Sequence, residues 1–99
     1  MSMKIAKIDS ILFNTHKGPT TTVVMAEGQV NTGGWTDIKL VPTPNPPKDL
    51  RVHLDFVGTK PTGIVPQAFV KVKASLEIEK VGKKGVTIHS ASGELAKDF

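Results

Sequence analysis

Cysteine and tyrosine are both absent from the 99-residue chain, and its aromatic side chains are one Trp and four Phe. Without Cys there are no disulfides, no thiolates for a structural zinc site and no thiol nucleophile. A domain of this size buries only about 60–70% of the surface its unfolded chain exposes, so its stability margin is thin. Apolar packing, backbone pairing or a partner subunit has to supply that margin. The missing Cys also fits a reducing compartment. No apolar run approaches the ~20 residues that a membrane-spanning helix requires. Nor is there the unbroken apolar stretch of about 7–15 residues that marks a secretory signal. Lys7 and Asp9 interrupt residues 5–13. A cytoplasmic location is the default expectation, with a form secreted after signal removal left open.

What is present describes one small β-rich domain spanning residues 1–99. Apolar residues make up 38% and charged residues 22%, an ordinary balance for a chain that folds. Eighteen Val and Ile stand beside ten Thr, which favours strands. The net charge of +4 favours anionic partners slightly and says nothing about fold.

The clearest hydrophobic period is two. In Leu50-Arg51-Val52-His53-Leu54-Asp55-Phe56, apolar and charged residues alternate without an error, so two faces separate cleanly. From residue 68 the pattern recurs: Ala68, Val70, Val72, Ala74, Leu76 and Ile78 share one face. Lys71, Lys73, Ser75, Glu77 and Glu79 share the other, joined by the one exception, Phe69. Residues 20–30, 35–41 and 86–90 read as further strands, the first with both faces partly covered. Residues 5–13 are ambiguous, because Ile5, Ile8, Ile11 and Leu12 also suit a helix; a bent strand is the preferred reading. Asn31-Thr32-Gly33-Gly34 reads as a turn, and Val81-Gly82-Lys83-Lys84-Gly85 as a short hairpin joining the last two strands. Pro42-Thr43-Pro44-Asn45-Pro46-Pro47 cannot pair in a sheet and is expected to be a crossing loop.

Motifs that carry chemistry are few. Gly58-Thr59-Lys60-Pro61-Thr62-Gly63 begins like a phosphate-binding loop, but Ile64-Val65 stand where Lys and Ser/Thr are needed, and no helix follows. His53 and Asp55 are spaced to converge on one strand face, with His89 and His16 as further metal-ligand candidates. Polar residues alternating on the wet side of a sheet explain them without any metal, which is the preferred reading. Ser90, Ser92 and His89 lack the strand–turn–helix elbow of a Ser nucleophile, and Ser90-Ala91-Ser92-Gly93 looks like the fraying end of a strand. No catalytic, metal or cofactor residues are therefore assigned, and no enzymatic activity is expected. Pro44-Asn45-Pro46-Pro47 has the Pro-x-x-Pro spacing, too short and common to carry a claim. Lys71, Lys73, Lys83 and Lys84, with Phe69 beside them, form the one candidate contact surface for an anion or a partner. Single-strand nucleic-acid binders combine such a basic strip with aromatic platforms; outward lysines also protect a strand edge from aggregation, which is the preferred reading.

At Gly28-Gln29-Val30-Asn31-Thr32-Gly33-Gly34-Trp35, then Leu54-Asp55-Phe56-Val57 and Gly63-Ile64-Val65-Pro66-Gln67, the chain resembles a family of small uncharacterised bacterial proteins. The likeness covers roughly residues 26–68, under half the chain. It implies a β-sandwich and attaches no activity.

The expectation is an all-β fold, an antiparallel immunoglobulin-like β-sandwich of six or seven strands. Its core should hold Val24, Ala26, Ile38, Leu40, Leu50, Val52, Leu54, Phe56, Val70, Val72, Leu76, Val86 and Ile88, with Trp35 partly buried. The expected function is a non-enzymatic binding or assembly module, contacting a protein partner or itself through strand edges. A nucleic-acid or polyanion binder is the alternative. No cofactor is expected.

Overall fold

The computed structural model describes residues 2–14, 20–63, 65 and 67–99. His16, Ile64 and Pro66 lie outside the described residues. Among the described residues there are eight strands, where six or seven were expected: β1 (Ser2–Lys4), β2 (Lys7–Asn14), β3 (Thr21–Thr32), β4 (Thr36–Pro42), β5 (Arg51–Thr59), β6 (Gln67–Glu79), β7 (Gly85–Ser90) and β8 (Gly93–Asp98). They form two packed sheets, so the expected all-β sandwich is the fold. The smaller sheet has the order β2-β3-β6 and is antiparallel throughout.

The larger sheet is organised around β5. Its residues Leu54 to Thr59 pair with β4 along one edge. On the opposite edge two strands lie end to end, β7 along Arg51 to Asp55 and β1 along Val57 to Thr59. Between them the Ile5 N–H donates to the Phe56 carbonyl at 2.8 Å. Outermost is β8, paired with β7.

Three departures from the sequence reading have physical causes. First, β5 and β7 run parallel, in a sheet expected to be antiparallel throughout. Parallel neighbours cannot be joined by a hairpin and need a crossover. Here the crossover is β6, which sits in the other sheet. Residues 81–85 accordingly carry the chain between sheets and close no hairpin; their turn is held by the Lys83 N–H on the Lys80 carbonyl at 2.9 Å. Second, the segment read as a fraying end is a tight turn. Ala91 and Ser92 reverse the chain between β7 and β8, and their N–H groups bond the carbonyls of Ile5 and Ala6 at 2.8 and 3.1 Å. Third, Leu50 is 57% exposed and Val70 37% exposed, outside the core where both were expected. Leu50 has φ 61°, a left-handed conformation that interrupts the alternation just before β5. Val70 lies near the start of β6, an edge strand whose inward face is half-covered from Val72 onward and fully covered at Ile78.

The ambiguous first segment is a bent strand, and its period of three has a structural origin. Ile5 occupies the corner where the chain leaves β1 in one sheet for β2 in the other, fully buried. A register shift between Ile8 and Ser10 then brings both Ile8 and Ile11 inward. These three join Val24, Ala26, Val30, Leu40, Leu54, Phe56, Ile78, Val86 and Ile88 in one core between the sheets. Trp35, Ile38, Val52, Val72 and Leu76 are half-buried against it, Trp35 with its indole N–H on Thr32 Oγ1 at 3.1 Å.

Gly28 of β3 is hemmed in both by its sheet neighbour β2 and by the facing sheet. A Cβ there would collide with the Lys7 carbonyl and lie 2.9 Å from the Phe56 ring. The Lys7 backbone belongs to the paired β2 strand and cannot retreat without breaking its register. Overpacking a rigid core costs about 1–3 kcal/mol. Gly28→Ala is expected to lower unfolding free energy by about that amount, seen as a lower urea midpoint with an unchanged slope.

Candidate functional site

Parallel pairing of β5 with β7 fixes what meets on the outer face of the larger sheet. The register sets Arg51 against Gly85, His53 against Thr87 and Asp55 against His89. Neighbouring side chains of the two strands therefore interleave. Arg51 Nε donates to Thr87 Oγ1 at 3.0 Å, its Nη2 to the Val86 carbonyl at 3.1 Å, and its Nη1 pairs with Asp98 of β8. His53 Nδ1 lies 3.0 Å from His89 Nε2. His53 Nε2 is 2.9 Å from each carboxylate oxygen of Asp49, and His89 Nδ1 is 3.4 Å from Glu94. The result is an open concavity floored by a carboxylate–imidazole–imidazole–carboxylate row, with Pro47, Thr87 and Ala96 in its walls.

Proton placement along the row follows from its partners. An ionised Asp49 accepts from His53 Nε2–H, so a neutral His53 presents a bare Nδ1. His89 then has to donate through Nε2–H. His53 is 7% exposed, so this satisfaction matters: a buried polar group left unpaired costs about 1–3 kcal/mol. The hydrogen bond from His53 holds the Asp49 carboxyl below the usual aspartate range. Both Asp49 and Glu94 escaped the sequence reading, because one stands in the Pro-rich loop and the other on the unforeseen β8. The Asp49-to-His53 spacing of four was the available signal.

Of the metal-ligand candidates, His53 and His89 come together and Asp55 does not. Asp55 turns to the loop, where Thr43 Oγ1 donates to it at 2.8 Å. Among the described residues no group of three or more His, Cys, Asp or Glu is arranged to hold a metal ion. Ser90 directs its hydroxyl to the Gly93 carbonyl at 2.8 Å, away from His89. The Pro-x-x-Pro segment is broken at Asn45, whose φ of 49° lies outside the polyproline conformation.

The candidate contact residues occupy β6 and the turn after it. Phe69, Lys71 and Lys73 share the outer face of the first half of β6, with Phe69 86% exposed and Lys73 3.5 Å from Glu27 on β3. Lys83 and Lys84 lie in the turn to β7, near the Pro-rich loop; the Lys84 N–H bonds the Leu50 carbonyl at 2.8 Å. About 20 Å of strand, at ~3.3 Å per residue, separates Lys73 from the end of β6, and Glu77 and Glu79 fill it. The four lysines make two separate clusters.

Comparison with protein-family models, with curated proteins and with solved structures returns no match.

Asp49 also gives a pH signature. Its carboxyl is held down in the folded state, so the stabilisation is complete above the unfolded-state value of about 3.9 and is lost as pH falls through the folded value. Asp49→Asn is expected to have a lower urea midpoint than the wild type at pH 6. The gap should narrow as pH falls below the unfolded-state value; a gap independent of pH would mean that the carboxylate charge plays no part.

Proposed function

We propose that the protein is a non-enzymatic binding or assembly module that acts through protein–protein contacts along the outer edge of β6. One observation carries this reading: β6 is thirteen residues long and, among the described residues, pairs with β3 alone. It contains neither Pro nor Gly to break the ladder; its protection is the charge of Lys71, Lys73, Glu77 and Glu79, which turns away apolar strands and admits a partner of complementary charge.

Among the described residues the edges of β2, β4 and β8 carry protections of their own, and β1 is only three residues long. On the β2 side, Lys97 of β8 donates to the Ile11 carbonyl at 3.1 Å and stands over the Phe13 ring, which also packs on Phe99. On β4, a register shift between Thr36 and Lys39, a left-handed Asp37 and the terminal Pro42 interrupt the ladder. The strand β8 is short, and Glu94, Lys97 and Asp98 line it. Strand addition to an exposed edge is a common mode of peptide recognition, in which main-chain bonds give affinity and alternate side chains give specificity. We read the layering as immunoglobulin-like, with the parallel β5–β7 pair as its departure. The split of the lysines by two glutamates gives the polyanion alternative less support.

Random peptides selected for binding to the full chain test the reading. Bound peptides are expected to slow exchange of backbone amides within residues 70–79 while leaving those of β5 and β7 unchanged. Selection that yields no binder, or binders whose footprint lies elsewhere, overturns it.

A further inference from the structure

We propose that the occupant of the β6 edge is a second copy of this chain, paired antiparallel with it about a two-fold axis at Ser75. This rests on the reading of β6 as a contact edge and names its partner. The order of charges along the strand carries the inference. On its outer face β6 runs Phe69, Lys71, Lys73, Ser75, Glu77, Glu79, with basic residues in the first half and acidic residues in the second. Such a strand is complementary to its own reverse. With Ser75 opposite Ser75 of the partner subunit, Lys73 faces Glu77 of the partner subunit and Lys71 faces Glu79 of the partner subunit. The two-fold axis repeats each pair, as an isologous contact requires.

Competing arrangements are poorer. Parallel pairing in register sets Lys against Lys and Glu against Glu, which is destabilising on a sheet face. Sliding the antiparallel register by two residues in either direction halves the opposite-charge pairs. Among the described residues Lys71, Glu77 and Glu79 make no ion pair within the chain, and Lys73 stays 78% exposed beside Glu27. Their charges are therefore free to face outward.

Apolar exposure fits the same register. Phe69 is 86% exposed and Val81, just beyond the strand, 68% exposed. The register that matches the charges sets Phe69 opposite Val81 of the partner subunit. On the inward face it sets Val72 opposite Ile78 and Ala74 opposite Leu76 of the partner subunit, continuing an apolar surface that one chain leaves half-covered. The paired smaller sheets become one continuous sheet of six strands. Although β4 runs close to β6 in the facing sheet, no hydrogen-bonded ladder among the described residues joins them. The β6 backbone is thus left for the partner.

Sedimentation equilibrium over a concentration series, with charge-reversed variants, tests the dimer. Wild type is expected to dimerise, and more weakly as salt is raised. Lys71→Glu with Lys73→Glu makes the outer face wholly acidic; Glu77→Lys with Glu79→Lys makes it wholly basic. Each variant alone is expected to dimerise at least about tenfold more weakly, like charges now opposing one another across the axis. Mixed in equal amounts, the two are expected to form a heterodimer, because every cross-strand pair is again of opposite sign. All four positions are exposed, and circular dichroism checks that both variants keep the fold. A wild type that dimerises while both variants dimerise equally well, or folded variants that do not associate when mixed, overturns the proposed pairing. A wild type that stays monomeric but still accepts selected peptides on residues 70–79 overturns the dimer and leaves the binding edge standing. Failure of the peptides as well removes both.

Discussion

Parallel pairing between β5 and β7 is the constraint on which the rest of the molecule depends. Two parallel neighbours oblige the intervening chain to leave the sheet and return, and the segment that does so is β6. Because β6 is spent on this crossing, it lies at the rim of the smaller sheet with β3 on one side only. The same pairing aligns the outer faces of β5 and β7, so that His53 reaches His89 and Arg51 reaches Thr87. The contact edge and the imidazole row thus share one topological cause.

The two features differ in what they offer a ligand. In the imidazole row each of the four ring nitrogens faces a named partner, and Asp49 is tied further by the Arg51 N–H at 3.1 Å. It welds the Pro-rich loop and β8 onto the parallel pair. Arg51 adds to this by bridging β5, β7 and β8. Along β6 the reverse holds: among the described residues no strand pairs with the main-chain groups on its outer side. Side chains that engage one another act as structure, whereas an open ladder is the feature that the proposed contact would use.

Much of the fold was legible because strands declare themselves locally. Alternation over residues 50–56 and 68–79 located β5 and β6, and the evenly covered Thr- and Val-rich segment was β3. Local pattern has nothing to say about which sheet a strand joins, so the turn at residues 81–85 looked like a hairpin. Its glycines permit a reversal in either case. The strand β8 was invisible for a different reason: Leu95 is its only large apolar side chain, too little for a period. Ile5, Ile8 and Ile11 were ambiguous because a sheet change and a register shift each offset the period of two. Of the candidate site, Lys71, Lys73 and Phe69 could be placed on one face from spacing alone. The meeting of His53 with His89 could not, since it is set by the register of strands far apart in the chain.

The shared edge of β5 has a consequence for the order in which the molecule assembles. That edge is closed by β1 from the beginning of the chain and by β7 from near its end, each covering a different stretch. No local segment completes the central strand, so most of its pairing waits on loop closures of long range, which are slow. Until β7 and β8 arrive, the Arg51 to Asp55 stretch is itself a bare edge, beside the open one on β6. A nascent or partly unfolded chain therefore exposes an unpaired stretch of β5 that the native fold covers, in addition to the charge-patterned edge of β6. The final hairpin acts as the clasp that closes this stretch of β5.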